Sequence, residues 1–316
     1  MQLLDCQNFF SYNLKKFKNS KVFNQRYLFF MSLPFIVWIL IFSFGPMFGW
    51  VMAFQDFNPS KGILGSPWVG LKHFALLFES KEALLVVRNT VVISFLSIIA
   101  GNILPMFLAL SINELSNKAL KRTIQTISYL PYFVSYVVVA NIFLSIFSYD
   151  GVVNDILLEL GFIDKRILVW ADKDKFWGMV TFVNVWKELG WRSIIYLAAI
   201  ASIDTQIYEA AMLDGCGRIK RIFHITIPSI LHIVVLLWIL SMGDIFKAGF
   251  DFSYLLGNSA TREVSEVIDT YVFRLGMESG MYSFSTAVSL LKVLLGSVMV
   301  IITNKIARKY TEYSLW

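Results

Sequence analysis

Four windows of this chain, 27–55, 89–113, 123–149 and 222–243, contain no Asp, Glu, Lys or Arg. Each exceeds the roughly 20 residues that carry a helix across about 30 Å of hydrocarbon. Two further apolar stretches are interrupted: 176–203 holds Lys187, Glu188 and Arg192, and 279–304 holds Lys292. Their apolar flanks and lengths fit spans as well. Six helices are therefore expected, near 29–53, 89–112, 124–148, 177–201, 229–250 and 284–306: an all-α membrane bundle. Composition excludes the alternatives. The chain is 57% hydrophobic and 16% charged, where a soluble domain is about 45–50% apolar and about 25% charged. Cys6 and Cys216 are too few for a disulfide framework. His73, His224 and His232 make no typical catalytic zinc site without added carboxylates.

The first span is too long for the apolar core of a cleaved signal peptide, and no small-residue cleavage site follows it. Pro34 and Pro46 are expected to bend it, with neighbours in a bundle satisfying the freed carbonyls. Lys and Arg set the orientation. The N-terminus, loops two–three and four–five and the C-terminus together carry 14 Lys/Arg and six acids; the other side carries 10 and 14. Both termini are therefore expected in the cytoplasm. Segment 1–26, with Lys15, Lys16, Lys18, Lys21 and Arg26 among aromatic and aliphatic residues, reads as a basic lead-in or as an interfacial helix. The spans and their loops make one unit, 27–308, with a short tail, 309–316. The outer connections 54–88, 149–175 and 251–283 are too short for separate domains. Pro59, Gly62, Gly65, Pro67 and Gly70 read as turns in the first of them.

The cytoplasmic connection between spans four and five is the most distinctive segment. Residues 208–228 read YEAAMLDGCGRIKRIFHITIP. Residues 208–214 favour helix, Gly215 and Gly217 interrupt it, and 218–225 form a second piece with Ile219, Ile222, Phe223 and Ile225 on one side. Pro228 is expected at the start of span five, where its missing N–H costs nothing. Two short amphipathic helices around a glycine turn must bury their apolar face against the bundle or a cytoplasmic partner.

This loop resembles the motif of the inner-membrane permeases of binding-protein-dependent ABC importers: E-A-A, three residues, G, nine residues, I, one residue, L-P. Here Glu209-Ala210-Ala211 precede Gly215, nine residues follow, and Ile225-Thr226-Ile227-Pro228 close the motif with Ile in place of Leu. The likeness covers most of the chain and is to the maltose-type carbohydrate permeases. The runs 57–62 (FNPSKG) and 267–272 (VIDTYV) and the ending Ser314-Leu315-Trp316 are similar to a subgroup associated with oligosaccharides and polysaccharide fragments. The large insertion between early spans of one maltose permease subunit is missing. The resemblance implies a type I importer fold, with loop 204–228 coupling to an ATPase through Glu209, Ala210, Ala211, Asp214, Gly215, Ile225 and Pro228. It implies a second permease subunit, two ATPase subunits holding the ATP and Mg, a solute-binding protein outside, a carbohydrate substrate, and no cofactor on this chain. The mechanism it implies is alternating access.

An ionisable group inside a span normally faces a cavity or a partner. Lys187 and Glu188 lie near the midplane, and Glu188 and Arg192 are spaced to pair. Asp244 and Lys247 are expected in the outer half of span five, and Lys292 at similar depth in span six. Tyr136, Asn141, Asn184, Trp186, Trp191, Phe246 and Phe250 accompany them. Two readings stand: the charges neutralise one another or contact a second subunit, or some line a wet path. In the second reading aromatic faces stack on sugars, amides and charges bond hydroxyls, and Lys187, Arg192, Lys247 and Lys292 attract an acidic sugar.

No Walker A, H-E-x-x-H or G-x-S-x-G motif is present, and no channel filter is visible. The alternative from another class is a membrane-embedded glycosyltransferase or polymerase. Its only acidic pair, in Asp172-Lys173-Asp174, sits in a charge-rich loop and reads as a solvated cluster.

Overall fold

The computed structural model describes residues 26–247, 249–311 and 314–315. The basic segment 1–25 and Trp316, for which expectations are given above, lie outside the described residues. The chain is built of helices, and one isolated bridge, Gln55 to Trp68, is the only β pairing among the described residues.

The first apolar window starts as α1 (Arg26–Ile39), passes through a π turn (Leu40–Phe44) and ends as a 3-10 stretch (Gly45–Phe54). Pro34 is accommodated within α1, whereas the change of helix type falls around Pro46, which has no N–H for a regular α ladder. Most side chains along 27–48 are exposed, and only the 3-10 end lies along the last helix. After α2 (Lys72–Glu79), Ser80 accepts the Ala83 N–H at 3.2 Å and starts α3 (Lys81–Asn113).

The third apolar window is not one helix. Asn117 caps α4 (Lys118–Phe133), which contains Pro131 and stops two residues after it. Val134 and Ser135 are extended, and the Ser135 hydroxyl accepts the Val138 N–H to start α5 (Tyr136–Ile146) at 102° to α4. The expected single helix over 124–148 is thus two, because proline weakens the ladder just where a good capping residue can restart it. Asp172 caps α6 (Lys173–Ala201), and Asp204 caps α7 (Thr205–Leu213). The piece from α8 (Arg218–Arg221) runs through a π turn, Ile222–Thr226, to Ser229. It meets α9 (Leu231–Gly243) at 62°. Pro228 therefore lies in the last turn before the bend rather than at the start of the span. The expected helix over 229–250 ends early, at Gly243: Asp244, Phe246 and Lys247 lie in a turn, and Phe250 opens α10 (Phe250–Leu256). Helix α11 (Ile268–Phe273) and a π turn, Arg274–Glu278, lead to α12 (Tyr282–Tyr310).

Among the described residues, three helices are continuous, long and apolar enough to cross a membrane: Phe30–Phe54, Lys81–Asn113 and Tyr282–Tyr310. Counting each bent pair as one span gives five. Helix α6, with 29 residues, is long enough but carries Lys187, Glu188 and Arg192 in its middle. It is central to the packing, running along α3 and crossing α4. At that crossing a Cβ on Gly190 would sit 2.0 Å from the Ser128 carbonyl oxygen, so only glycine permits the approach. Buried residues form three clusters. One joins α3, α5 and α6 to the 250–267 connection through Ile93, Phe143, Phe176, Phe252 and Val267. A second joins α2, α3, α11 and α12 through Leu77, Val86, Tyr271 and Phe284. The third lies near the 202–228 loop, around Ala109, Tyr196 and Ile230.

Candidate functional site

The motif loop is an ordered unit. Helix α7 carries Glu209 and Ala210 exposed and Ala211 partly exposed. It ends in a glycine cap. Gly215 has φ +73°, its N–H donates to Met212 O at 3.1 Å, and the Cys216 N–H donates to Ala211 O at 2.9 Å. This is the paired-bond helix ending in which glycine takes the left-handed position. Asp214 is the exposed residue just before it. The Tyr208 hydroxyl and the buried Thr226 hydroxyl lie 2.9 Å apart, tying α7 to the π turn that contains Ile225. Ile207, Met212, Leu213, Ile219 and Phe223 are exposed. The loop thus presents an apolar surface, with Glu209 and the Arg218, Lys220 and Arg221 cluster nearby.

The charges in the spans separate into groups. Lys187, 3% exposed, points at the break between α4 and α5. Its ammonium donates to Tyr132 O at 2.7 Å and lies 4.6 Å from the Tyr136 ring centre and 5.2 Å from that of Tyr132. The last carbonyls of a helix lack intrahelical donors, and in hydrocarbon no water replaces them; Lys187 supplies the donor. Trp191 stacks on Tyr132 at 4.4 Å. Glu188 instead pairs with Arg192 at 2.6 Å, and the Tyr136 hydroxyl is 3.5 Å from its other oxygen.

Arg192 leads to a second group. Ser94 and Ser97 of α3, Asn184 and Arg192 of α6, and Asp244 and Lys247 line a polar pocket of about 100 Å³. Lys247 pairs with Asp244 at 2.7 Å, both well exposed, and the buried Ser94 hydroxyl has no partner among the described residues. Lys292 and Asn141 stay apart: Lys292 pairs with Asp269 beside a small apolar cavity, and Asn141 bonds the Val137 carbonyl on its own helix. Sequence reasoning missed Ser94, Ser97 and Ser241, which also lines the pocket. Small hydroxyls inside charge-free windows were the available signal.

Capped, broken apolar helices around a polar pocket, with an ordered loop presenting apolar residues beyond them, define a multi-helix protein with the length and apolarity of membrane spans. The chain belongs to the family of binding-protein-dependent transport system inner membrane components, whose model matches residues 101–312. Family membership makes it a membrane-embedded transport component, in place of the glycosyltransferase alternative. It is 40% identical over 297 residues, 94% of this chain and 92% of the other, to the polygalacturonan/rhamnogalacturonan transport system permease protein YteP of Bacillus subtilis (strain 168). Two solved structures share the fold at 36% identity. One is of a bacterial ABC transporter involved in the import of the acidic polysaccharide alginate, with TM-score 0.84 over 92% of this chain and 98% of that one. The other is of a bacterial alginate ABC transporter in complex with alginate pentasaccharide-bound periplasmic protein, with TM-score 0.85 over 93% and 98%.

Proposed function

We propose that this chain is the permease subunit of an ATP-driven importer of oligosaccharides, with uronate-bearing fragments as the substrate class. The observation that carries the reading is the nearly full-length likeness to a permease for polygalacturonan/rhamnogalacturonan and to the alginate importer. In this reading α6 is counted with the five other spans, giving six over 27–308. Both termini and loop 204–228 are cytoplasmic, and 1–26 and 309–316 are short flanking segments. The apolar surface around Leu213 and Phe223 docks on an ATPase subunit, with Glu209 through Pro228 as the coupling element. A second permease, two ATPase subunits that hold the ATP and Mg, and an extracytoplasmic solute-binding protein complete the machine.

The polar pocket is the part of the path this chain supplies. Among its cations, Arg192 and Lys247 have carboxylate partners. Lys247 and Asp244 are the exposed pair, 62% and 60%, and such a pair is worth only about 0–1 kcal/mol, so a substrate carboxylate can exchange with it. Lys187 and Lys292 hold the fold instead. The test is uptake by the reconstituted complex, with its binding protein, of labelled oligogalacturonides against neutral maltooligosaccharides. ATP-dependent uptake of the acidic series supports the reading; transport of neither series sinks it.

A further inference from the structure

The connection between α9 and α12 was expected to be a loop, yet residues 250–278 form a fixed helical unit. Its backbone is tied to the bundle at several places. The Asn258 amide donates to Trp170 O at 2.6 Å, and the Trp177 indole N–H to Val264 O at 2.9 Å. The Asn89 amide donates to Glu263 O and Glu266 O at 2.8 and 3.0 Å. The Ile268 N–H donates to the Thr90 hydroxyl at 2.8 Å. A connection that only joins two spans needs no such fastening.

This unit alone frames an open pocket of about 320 Å³, all of it lined by residues between Ser253 and Glu278. That is a volume at the lower end of small-ligand sites, which run about 300–1,000 Å³. Its groups suit a sugar. Tyr254 and Phe273 form an aromatic wall, their ring centres 5.7 Å apart. Ser253 is 3% exposed and its hydroxyl has no partner among the described residues; an orphaned buried hydroxyl calls for a ligand or water to satisfy it. Arg274 is committed, bonding both Glu266 oxygens at 2.6 and 3.0 Å and reaching Glu82 at 2.8 Å. Arg262 is held more loosely, its ε-nitrogen pairing with the same Glu266 at 3.9 Å. Glu278 makes no ion pair among the described residues. One available cation, one available acid, an orphaned hydroxyl and an apolar ring face thus line a preformed concavity. The polar pocket is close along the chain: Gly249, which precedes α10, lines that pocket, and Ser253 lines this one.

Resting on the proposed function, we infer that this pocket is an entry subsite that holds one unit of an acidic saccharide before it reaches the polar pocket. Arg262 binds its carboxylate, Ser253 a ring hydroxyl, and Tyr254 and Phe273 the apolar ring face. The test uses the whole complex in lipid nanodiscs without its solute-binding protein, and titrates trigalacturonate and, as the neutral control, maltotriose. Trigalacturonate should bind the unmodified complex at least tenfold tighter than maltotriose. Arg262→Gln and Tyr254→Ala should each weaken it at least tenfold, and Ser253→Ala about threefold, with unchanged thermal unfolding. No trigalacturonate binding without the delivery protein, or equal affinity in the variants, overturns the subsite. So does a loss confined to affinity for the solute-binding protein, which makes this face a protein-docking surface. Uptake of the acidic series measured beside these titrations keeps the two readings apart: intact uptake with indifferent variants removes the subsite alone.

Discussion

Replacing Gly190 with alanine puts a carbon atom where α4 and α6 leave no room. It would lie 2.0 Å from Ser128 O, 2.3 Å from Ser128 C and 2.8 Å from Tyr129 N. These are backbone atoms and cannot rotate aside. To reach ordinary contact the helices must part by about 1.4 Å at this level. Overpacking alone costs about 1–3 kcal/mol. The same separation stretches the bond from Lys187 to Tyr132 O, now 2.7 Å, and a hydrogen bond to a charged group is worth about 1.5–3 kcal/mol. Together these put the loss at about 2.5–6 kcal/mol, in the range of a named core defect. The assay is the yield of assembled complex by size-exclusion chromatography, with thermal unfolding of what remains. Yield should drop at least tenfold. Gly178→Ala, in the same helix with nothing within 4 Å of the added carbon, should be neutral or slightly stabilising. A Gly190→Ala complex that assembles and melts like the unmodified one would refute the packing argument.

Gly215→Val should weaken assembly with the ATPase or uncouple saccharide-stimulated hydrolysis, because a β-branched residue resists the left-handed angle at +73°; Gly217→Ala, at φ −68°, should leave both rates unchanged, and equal behaviour of the two variants counts against the turn. Glu188→Gln should assemble, because the Arg192 it leaves lines the polar pocket, while uptake of acidic saccharide changes; lost assembly would show that the pair holds the bundle. Outside the spans, Lys175 bonded to Asp172 and Lys173 bonded to Glu263 hold those carboxyls below their ordinary values of 3.8 and 4.5. A lowered folded-state pKa stabilises above the unfolded value and is lost as pH falls through the folded one, so these pairs should leave thermal unfolding flat from pH 7.5 to 5 and contribute loss progressively below about pH 5. A sloping melting temperature between pH 7.5 and 5 that Asp172→Asn and Glu263→Gln abolish would contradict this.

The long apolar helices were readable because hydrocarbon length and absence of charge are properties of a single stretch of chain. Their breaks were less so. Pro34 sits inside a helix while Pro131 precedes a right-angled break, and the difference is Ser135, a capping residue placed to start a new helix. The glycine turn of the motif loop was legible, since few residues other than glycine take that angle. The polar pocket was half legible. Arg192 and Asn184 are visible as polar residues in an apolar stretch, but the end of α9 before Asp244 depends on packing with other helices. Lys187 was noticed and its partners were not, because they are backbone carbonyls and aromatic faces that no residue pattern announces. The 250–278 unit was read as loop, since its helices have seven residues or fewer and their apolar periodicity is too short to register.

The π turn over Ile222–Thr226 makes the length of the motif an angular setting. A π turn holds one residue more than the α turn it replaces, and each residue of an α-helix advances the screw by about 100°. Deleting one residue here would leave hydropathy, charge and the glycine turn as they are, and the chain would still thread the membrane. It would convert the turn to α, and because one full turn replaces another, everything upstream would stay close to its present phase. A second deletion would have no extra residue left to absorb it and would turn Tyr208, Glu209 and Leu213 by roughly a quarter of a revolution about the axis. The nine residues between Gly215 and Ile225 therefore hold one residue of slack, and the loop tolerates the loss of one residue in direction but not of two.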